Sequence, residues 1–181
     1  MISGRKIGLK AIEKTDLSLL LEWRNNENYR KFFREYRELN LYNQEKWFEE
    51  KVVNGKDTLM FSIIDLKTLE IIGVCGLCYI NWINGSADLS LYIGKDNVYI
   101  DEVGYAEESC QLLFKYGFNE LRLNKIWTEI YLIDEKKIKL YKKIGMKIDG
   151  ILRENYFYDG KYIDSYIFSI LKSEFKIGEN L

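Results

Sequence analysis

Tyrosine, aspartate and backbone amides are the groups this chain offers for proton transfer and anion binding, because it contains no histidine. Any proton moved near neutral pH must pass through Asp, Glu, Tyr, Lys, Cys or water. The same absence excludes Ser/His and Cys/His nucleophile pairs and zinc sites that need an imidazole. Two stretches gather suitable residues. Asp101-Glu102-Val103-Gly104-Tyr105-Ala106 puts a glycine at a helix start, where the N–H groups of Val103, Gly104, Tyr105 and Ala106 can hold an anion. Leu140-Tyr141-Lys142-Lys143-Ile144-Gly145-Met146 carries a tyrosine whose hydroxyl can serve as a proton donor.

The surrounding pattern supplies elements able to position these groups. Residues 105–118 read as a helix, 124–132 as a strand, and 134–144 as a second helix closed by Gly145. Before them, Asn84-Gly85 is a hairpin signal leading into Ala87-Asp88-Leu89-Ser90-Leu91-Tyr92-Ile93. Alternation on that strand puts Asp88, Ser90 and Tyr92 on one face. Residues 58–65 and 70–82 are β-rich, and 5–11 alternate as a first strand. Thr15 and Asp16 cap a leucine-rich helix over 17–24, and Asn43 caps another over 44–53. The chain ends on strands at 146–158 and 161–171 around Asp159-Gly160. With no proline, Gly, Asn and Asp provide the punctuation. The order implies a mixed α/β sheet in one domain spanning 1–181.

Composition narrows the function class. A net charge of −1 gives no global attraction to nucleic acid or to an acidic membrane. No apolar run approaches the ~20 residues that span a bilayer, and the N-terminus lacks a signal-peptide core, so a cytoplasmic protein is the default. Cys75-Gly76-Leu77-Cys78 matches the C-x-x-C pattern, but on a strand residues three apart diverge, and only Cys110 remains as a further thiol. These cysteines read as small buried hydrophobes rather than a redox or metal site.

The spacing of Gly104-Tyr105-Ala106 and Tyr141-Lys142-Lys143-Ile144-Gly145-Met146 resembles the acetyl-CoA-binding core of the GNAT N-acetyltransferase superfamily. Asp149-Gly150-Ile151-Leu152-Arg153-Glu154, residues 158–164 and Leu21-Glu22-Trp23-Arg24-Asn25 are similar to the branch related to ribosomal-protein N-terminal acetyltransferases. The resemblance implies a mostly antiparallel sheet of six to seven strands, flanked by helices, with splayed central strands. It implies acetyl-CoA as cosubstrate, no metal, and transfer of acetyl to a primary amine of an amino sugar, a sugar nucleotide, a polyamine or a protein N-terminus. The alternative is a catalytically weakened GNAT-fold binding or regulatory module.

By family position Tyr141 would protonate the departing thiolate, and Asp88 is the candidate base for the amine. A backbone N–H on the splayed strand around Leu91, Tyr92 and Ile93 would meet the oxyanion. Val103, Gly104, Tyr105 and Ala106 would cradle the pyrophosphate, with Asp134, Lys137 and Lys143 lining the cofactor path and Lys95 able to compensate. Asp101 and Glu102 stand where the family prefers basic, neutral or small residues, and carboxylates there repel an anion. Asp134 stands where the family often has Asn, losing an amide donor. Tyr141 also shares a helical face with Lys137, Leu140 and Ile144, the bland alternative of a core tyrosine. Arg30, Arg34 and Arg37, interleaved with aromatics, suit either an acceptor with phosphate or hydroxyl groups or a helix packed on the sheet. The tyrosine-rich C-terminal hairpin offers a homodimer contact.

Overall fold

The strands are β1 (Ile2–Ser3), β2 (Ile7–Ala11), β3 (Leu59–Asp65), β4 (Ile71–Asn81), β5 (Ser86–Ile93), β6 (Lys125–Tyr131), β7 (Lys147–Tyr158) and β8 (Lys161–Leu171). In the computed structural model, which describes residues 1–176, they form one mixed sheet in the order β1-β2-β3-β4-β5-β6-β8-β7. Eight strands replace the expected six to seven. The added β1 has only two residues, too few to show alternation, and pairs Ile2 with Leu9. Every pairing is antiparallel except β5 with β6.

The helices are α1 (Leu17–Arg24), α2 (Glu27–Arg30), α3 (Leu41–Trp47), α4 (Tyr105–Lys115) and α5 (Glu135–Lys143). The start of α3 corrects the expected cap. Asn40 accepts the Asn43 N–H at 2.9 Å while the Asn43 side chain accepts the Asn40 N–H at 3.1 Å, so Asn40 begins the helix and Asn43 completes the box. Both α3 and α4 relax into π turns, over Phe48–Val53 and Tyr116–Glu120.

The two sheet faces have different partners. α4 packs on β2, β4 and β5, and α1 packs on α3 across the other face. Trp23 of α1 meets Tyr92 edge-on, with ring centroids 6.4 Å apart. Its indole lies where a Cβ on Gly94 would stand, 1.9 Å from Cδ2, so only glycine lets α1 close on the end of β5. The same two-sidedness separates the C-x-x-C thiols. Cys75 is buried on the α4 face within electrostatic reach of Cys110, whereas the Cys78 sulfur lies 3.5 Å from Met60 Sδ. All three cysteines are unpaired.

Candidate active site

A break in the sheet creates the site. β5 and β6 pair at Ser86–Lys125, Ala87–Ile126 and Asp88–Trp127 and then part, although both strands continue for several residues. Beyond Asp88 the backbone of β5 therefore faces a gap. Ile93 does not offer its amide there, because its N–H donates to the Tyr99 carbonyl at 2.8 Å and Tyr99 N–H returns to Ile93 at 2.9 Å. Antiparallel pairs alternate in hydrogen bonding, so if Ile93 bonds away from β4, Leu91 does too and Tyr92 bonds to β4. Of the three expected oxyanion donors, Leu91 alone turns its N–H to the gap.

Asp88 and Tyr141 stand at this opening and are both buried. Asp88 Oδ2 accepts from Arg34 Nη1 at 2.6 Å, and its Oδ1 has no hydrogen-bond partner among the described residues. Burial pushes the Asp88 carboxyl above the usual aspartate range; Arg34 opposes this, and the Thr128 hydroxyl helps it to do so. Tyr141 is wholly buried on α5 and feels the Asp88 charge. Its hydroxyl has no hydrogen-bond partner among the described residues. An unpaired buried hydroxyl costs about 1–3 kcal/mol, and the Tyr29 hydroxyl is likewise unpartnered among the described residues. Burial holds the Tyr141 pKa well above its ordinary value, so the group is a protonated donor.

Asp134 caps α5 by accepting the Lys137 N–H at 3.1 Å, and its other oxygen accepts from the Tyr99 hydroxyl. Lys137 is buried, with Nζ 5.2 Å from the Tyr99 ring centroid, and burial lowers its pKa. Tyr99 thus ties the end of β5 to the start of α5 across the gap. It sits at positive φ in a loop where Asp96 and Asn97 do the same. No periodicity marks such a residue in the sequence.

The turn before α4 departs most from expectation. Gly104 takes φ 101°, and the Asp101 carboxylate folds back onto the helix start. It accepts from Gly104 N–H at 2.6 Å, Tyr105 N–H at 2.8 Å and Ala106 N–H at 2.7 Å. The donors expected to be open for an anion are held by the chain itself, because a carboxylate three residues upstream can reach them. Val103 contributes its carbonyl, which accepts from Lys6 Nζ at 2.6 Å. Lys143 pairs with Glu107 of the first turn of α4 at 2.6 Å, and Lys95 pairs with Glu70. A cleft of about 220 Å³ beside the turn combines Asp101, Glu102 and Glu107 with Lys136, Lys139 and Lys143.

Across the gap, Glu129 of β6 accepts from Ser165 Oγ at 2.7 Å and from Asn155. Tyr131 and Tyr156 stack beside it with centroids 3.8 Å apart. The acetyltransferase (GNAT) domain model matches residues 6–147. The chain belongs to this family. Among family relatives, the N-acetyltransferase p20 of Bacillus licheniformis is 36% identical over 115 residues, 64% of this chain. That match spans 63% of p20, somewhat under two thirds of its length. The putative ribosomal N-acetyltransferase YdaF of Bacillus subtilis is 26% identical over 104 residues, 58% of this chain and 55% of that protein. Spermidine N-acetyltransferase from Vibrio cholerae, solved in complex with CoA and spermine, superposes with a TM-score of 0.85 at 25% identity, covering 93% of this chain and 97% of that one.

Arg34 is the other residue whose place the sequence left open. By sequence, residues 30–37 suit a ligand-binding role or a packing role. The fold divides them: Phe33 is buried against Tyr92 and Tyr29, while Arg34 reaches Asp88.

Proposed function

We propose that this chain acetylates a primary amine, with a polyamine as the favoured acceptor class. The observation that carries this reading is the buried, unpartnered Tyr141 hydroxyl at the opening between β5 and β6, within electrostatic reach of Asp88. Acetyl-CoA, when bound, supplies the acyl group and a thiolate leaving group. Asp88 takes the proton that an ammonium must lose before it can attack, directly or through water. The Leu91 N–H meets the developing oxyanion, and Tyr141 gives its proton to the departing sulfur. Asp134 and Lys137 hold the α5 side of the cofactor path, and Tyr92 and Ile93 brace the β5 side. The turn of Val103, Gly104, Tyr105 and Ala106, with Lys143, receives the phosphate end once Asp101 gives way.

A polyamine is favoured because the groups across the gap suit one. Asp88 and Glu129 offer two carboxylates, and the Tyr131–Tyr156 stack offers faces for alkylammonium groups. The Vibrio cholerae neighbour was solved with spermine, which supports the same class. The unpaired cysteines suit a reducing, cytoplasmic compartment. Residues 1–181 act as one unit in this reading. Phe157 and Tyr162, both more than half exposed on the β7–β8 hairpin, offer a self-association surface. A thiol-release assay with acetyl-CoA tests the reading against spermidine, amino sugars, sugar nucleotides and N-terminal peptides. Turnover strongest with spermidine is expected. Preference for an amino sugar or a peptide N-terminus would replace the acceptor class, and acetyl-CoA binding without turnover on any amine would leave the weakened binding module.

A further inference from the structure

Arg34 lies between α2 and α3, outside both stretches that carry the family signature. Its guanidinium reaches Asp88 through Nη1, at 2.6 Å from Oδ2. The partners are unequal: the Asp88 side chain is 6% exposed and that of Arg34 is 42% exposed. The carboxylate is a fixed part of the sheet, while the cation comes in from the solvent side. The contact is a single hydrogen bond rather than a two-pronged fork, the weaker of the ways an arginine can hold a carboxylate. The buried Oδ1 lacks a hydrogen-bond partner among the described residues. The head of Arg34 also lies 5.9 Å from the Tyr79 ring centroid and within electrostatic reach of Glu129. A second resting place for the guanidinium is therefore close by.

A carboxylate this buried needs a cation, and without an amine the protein provides its own. We infer that Arg34 is a displaceable stand-in for the acceptor's ammonium group, occupying Asp88 until a cationic amine takes its place and Arg34 turns towards the Tyr79 ring. Arg34 is then a specificity-determining residue that never touches the reacting atoms. Amines that remain cationic in solution compete for Asp88, and neutral or weakly basic amines do not dislodge the guanidinium. The inference rests on the acetyltransferase reading for the role of Asp88. The exchange of cations on that carboxylate is a binding event and can be measured apart from turnover.

Arg34→Ala, Arg34→Gln and Arg34→Lys test it, with spermidine as the probe amine. Calorimetry at about pH 8.5, where carboxylates are ionised, is expected to show spermidine binding about five-fold tighter to R34A and R34Q, the scale of a half-exposed ion pair, with R34K near wild type. In turnover, the KM for spermidine falls by a similar factor in R34A while the KM for acetyl-CoA stays put. Guanidinium ion competes with spermidine in R34A and not in the wild type. The pH profile supplies a readout that a merely structural arginine would not move. The groups facing Asp88 are Arg34 from the loop, Cys78 from β4, Thr128 from β6, and Lys137 and Tyr141 from α5. Only Arg34 changes in the variant, so the acid limb of kcat/KM moves to higher pH. Weaker or unchanged spermidine binding in R34A and R34Q, or an acid limb that stays in place, overturns the inference. A wild type that releases no thiol with any amine, combined with tighter binding in R34A, removes the acetyltransferase reading and leaves the cation exchange standing.

Discussion

Replacing Asp101 by alanine should make the protein bind acetyl-CoA more tightly and fold less stably. The carboxylate occupies the N–H groups of Gly104, Tyr105 and Ala106, all within 2.8 Å, and an incoming phosphate must displace it to use them. A side-chain cap at a helix N-terminus is worth about 0.5–2 kcal/mol, and a charged acceptor belongs in the upper part of that range. Asp101 is partly exposed, so solvent trims the figure to about 1–1.5 kcal/mol. Removing this competition corresponds to acetyl-CoA affinity higher by roughly five- to twelve-fold. The same loss lowers the melting temperature by about 2–6 °C for a chain of this length. Asp101→Asn keeps an oxygen to cap with but loses the charge, and should fall between wild type and alanine. Titration calorimetry with acetyl-CoA and a thermal melt of the unliganded protein read both effects. Affinity that is unchanged or weaker in D101A, alongside a lowered melting temperature, would show that the carboxylate does not compete with the ligand and would refute the reasoning.

Other outcomes follow from the gap between β5 and β6. Tyr141→Phe should cut turnover by about 10²-fold with little change in acetyl-CoA affinity, because it removes a proton donor and leaves a well-packed ring; single-turnover kinetics beside calorimetry separate the two. Burial raises the Asp88 pKa above 3.8, and the group must be ionised to accept a proton, so kcat/KM should fall on the acid side at a higher pH than an ordinary aspartate would give. Asp88→Asn should lose that inflection and about 10² in rate, and a variant retaining both would exclude Asp88 as the acceptor. Burial pushes the Cys78 thiol up to about 12 and raises Cys75 and Cys110 as well, so a thiol reagent near neutral pH should label the folded protein slowly and the unfolded protein fast at all three. Rapid labelling of Cys75 and Cys78 in the native state would reopen a redox role.

Much of the architecture could be read from local pattern. Seven of the eight strands, the two helices that flank β6, and the Asn84-Gly85 turn follow from alternation, capping and turn chemistry, which act within a few residues. Local pattern decides least where neighbouring groups compete for one role. Asn40 and Asn43 both qualify as a cap, and only backbone geometry chooses between them. The site was legible in its residue types and not in its contacts. Asp88 and Tyr141 are the proposed base and donor, and Arg34, which meets Asp88, sits far from both in sequence.

The sequence by itself determined that this chain must do its chemistry without imidazole, that it carries the glycine turn and tyrosine helix of an acetyltransferase, and that Asp88 lies on the strand leading into them. Those facts are carried by residue identity and short spacing, and folding does not alter them. Only the tertiary structure decided which groups meet. It parted β5 from β6 beyond Asp88, spent the Ile93 amide on Tyr99, folded Asp101 onto the donors of the turn, and placed Arg34 on the buried carboxylate. Each of these is a competition for one hydrogen-bonding group, and the winner is set by distances across the fold that no spacing along the chain encodes.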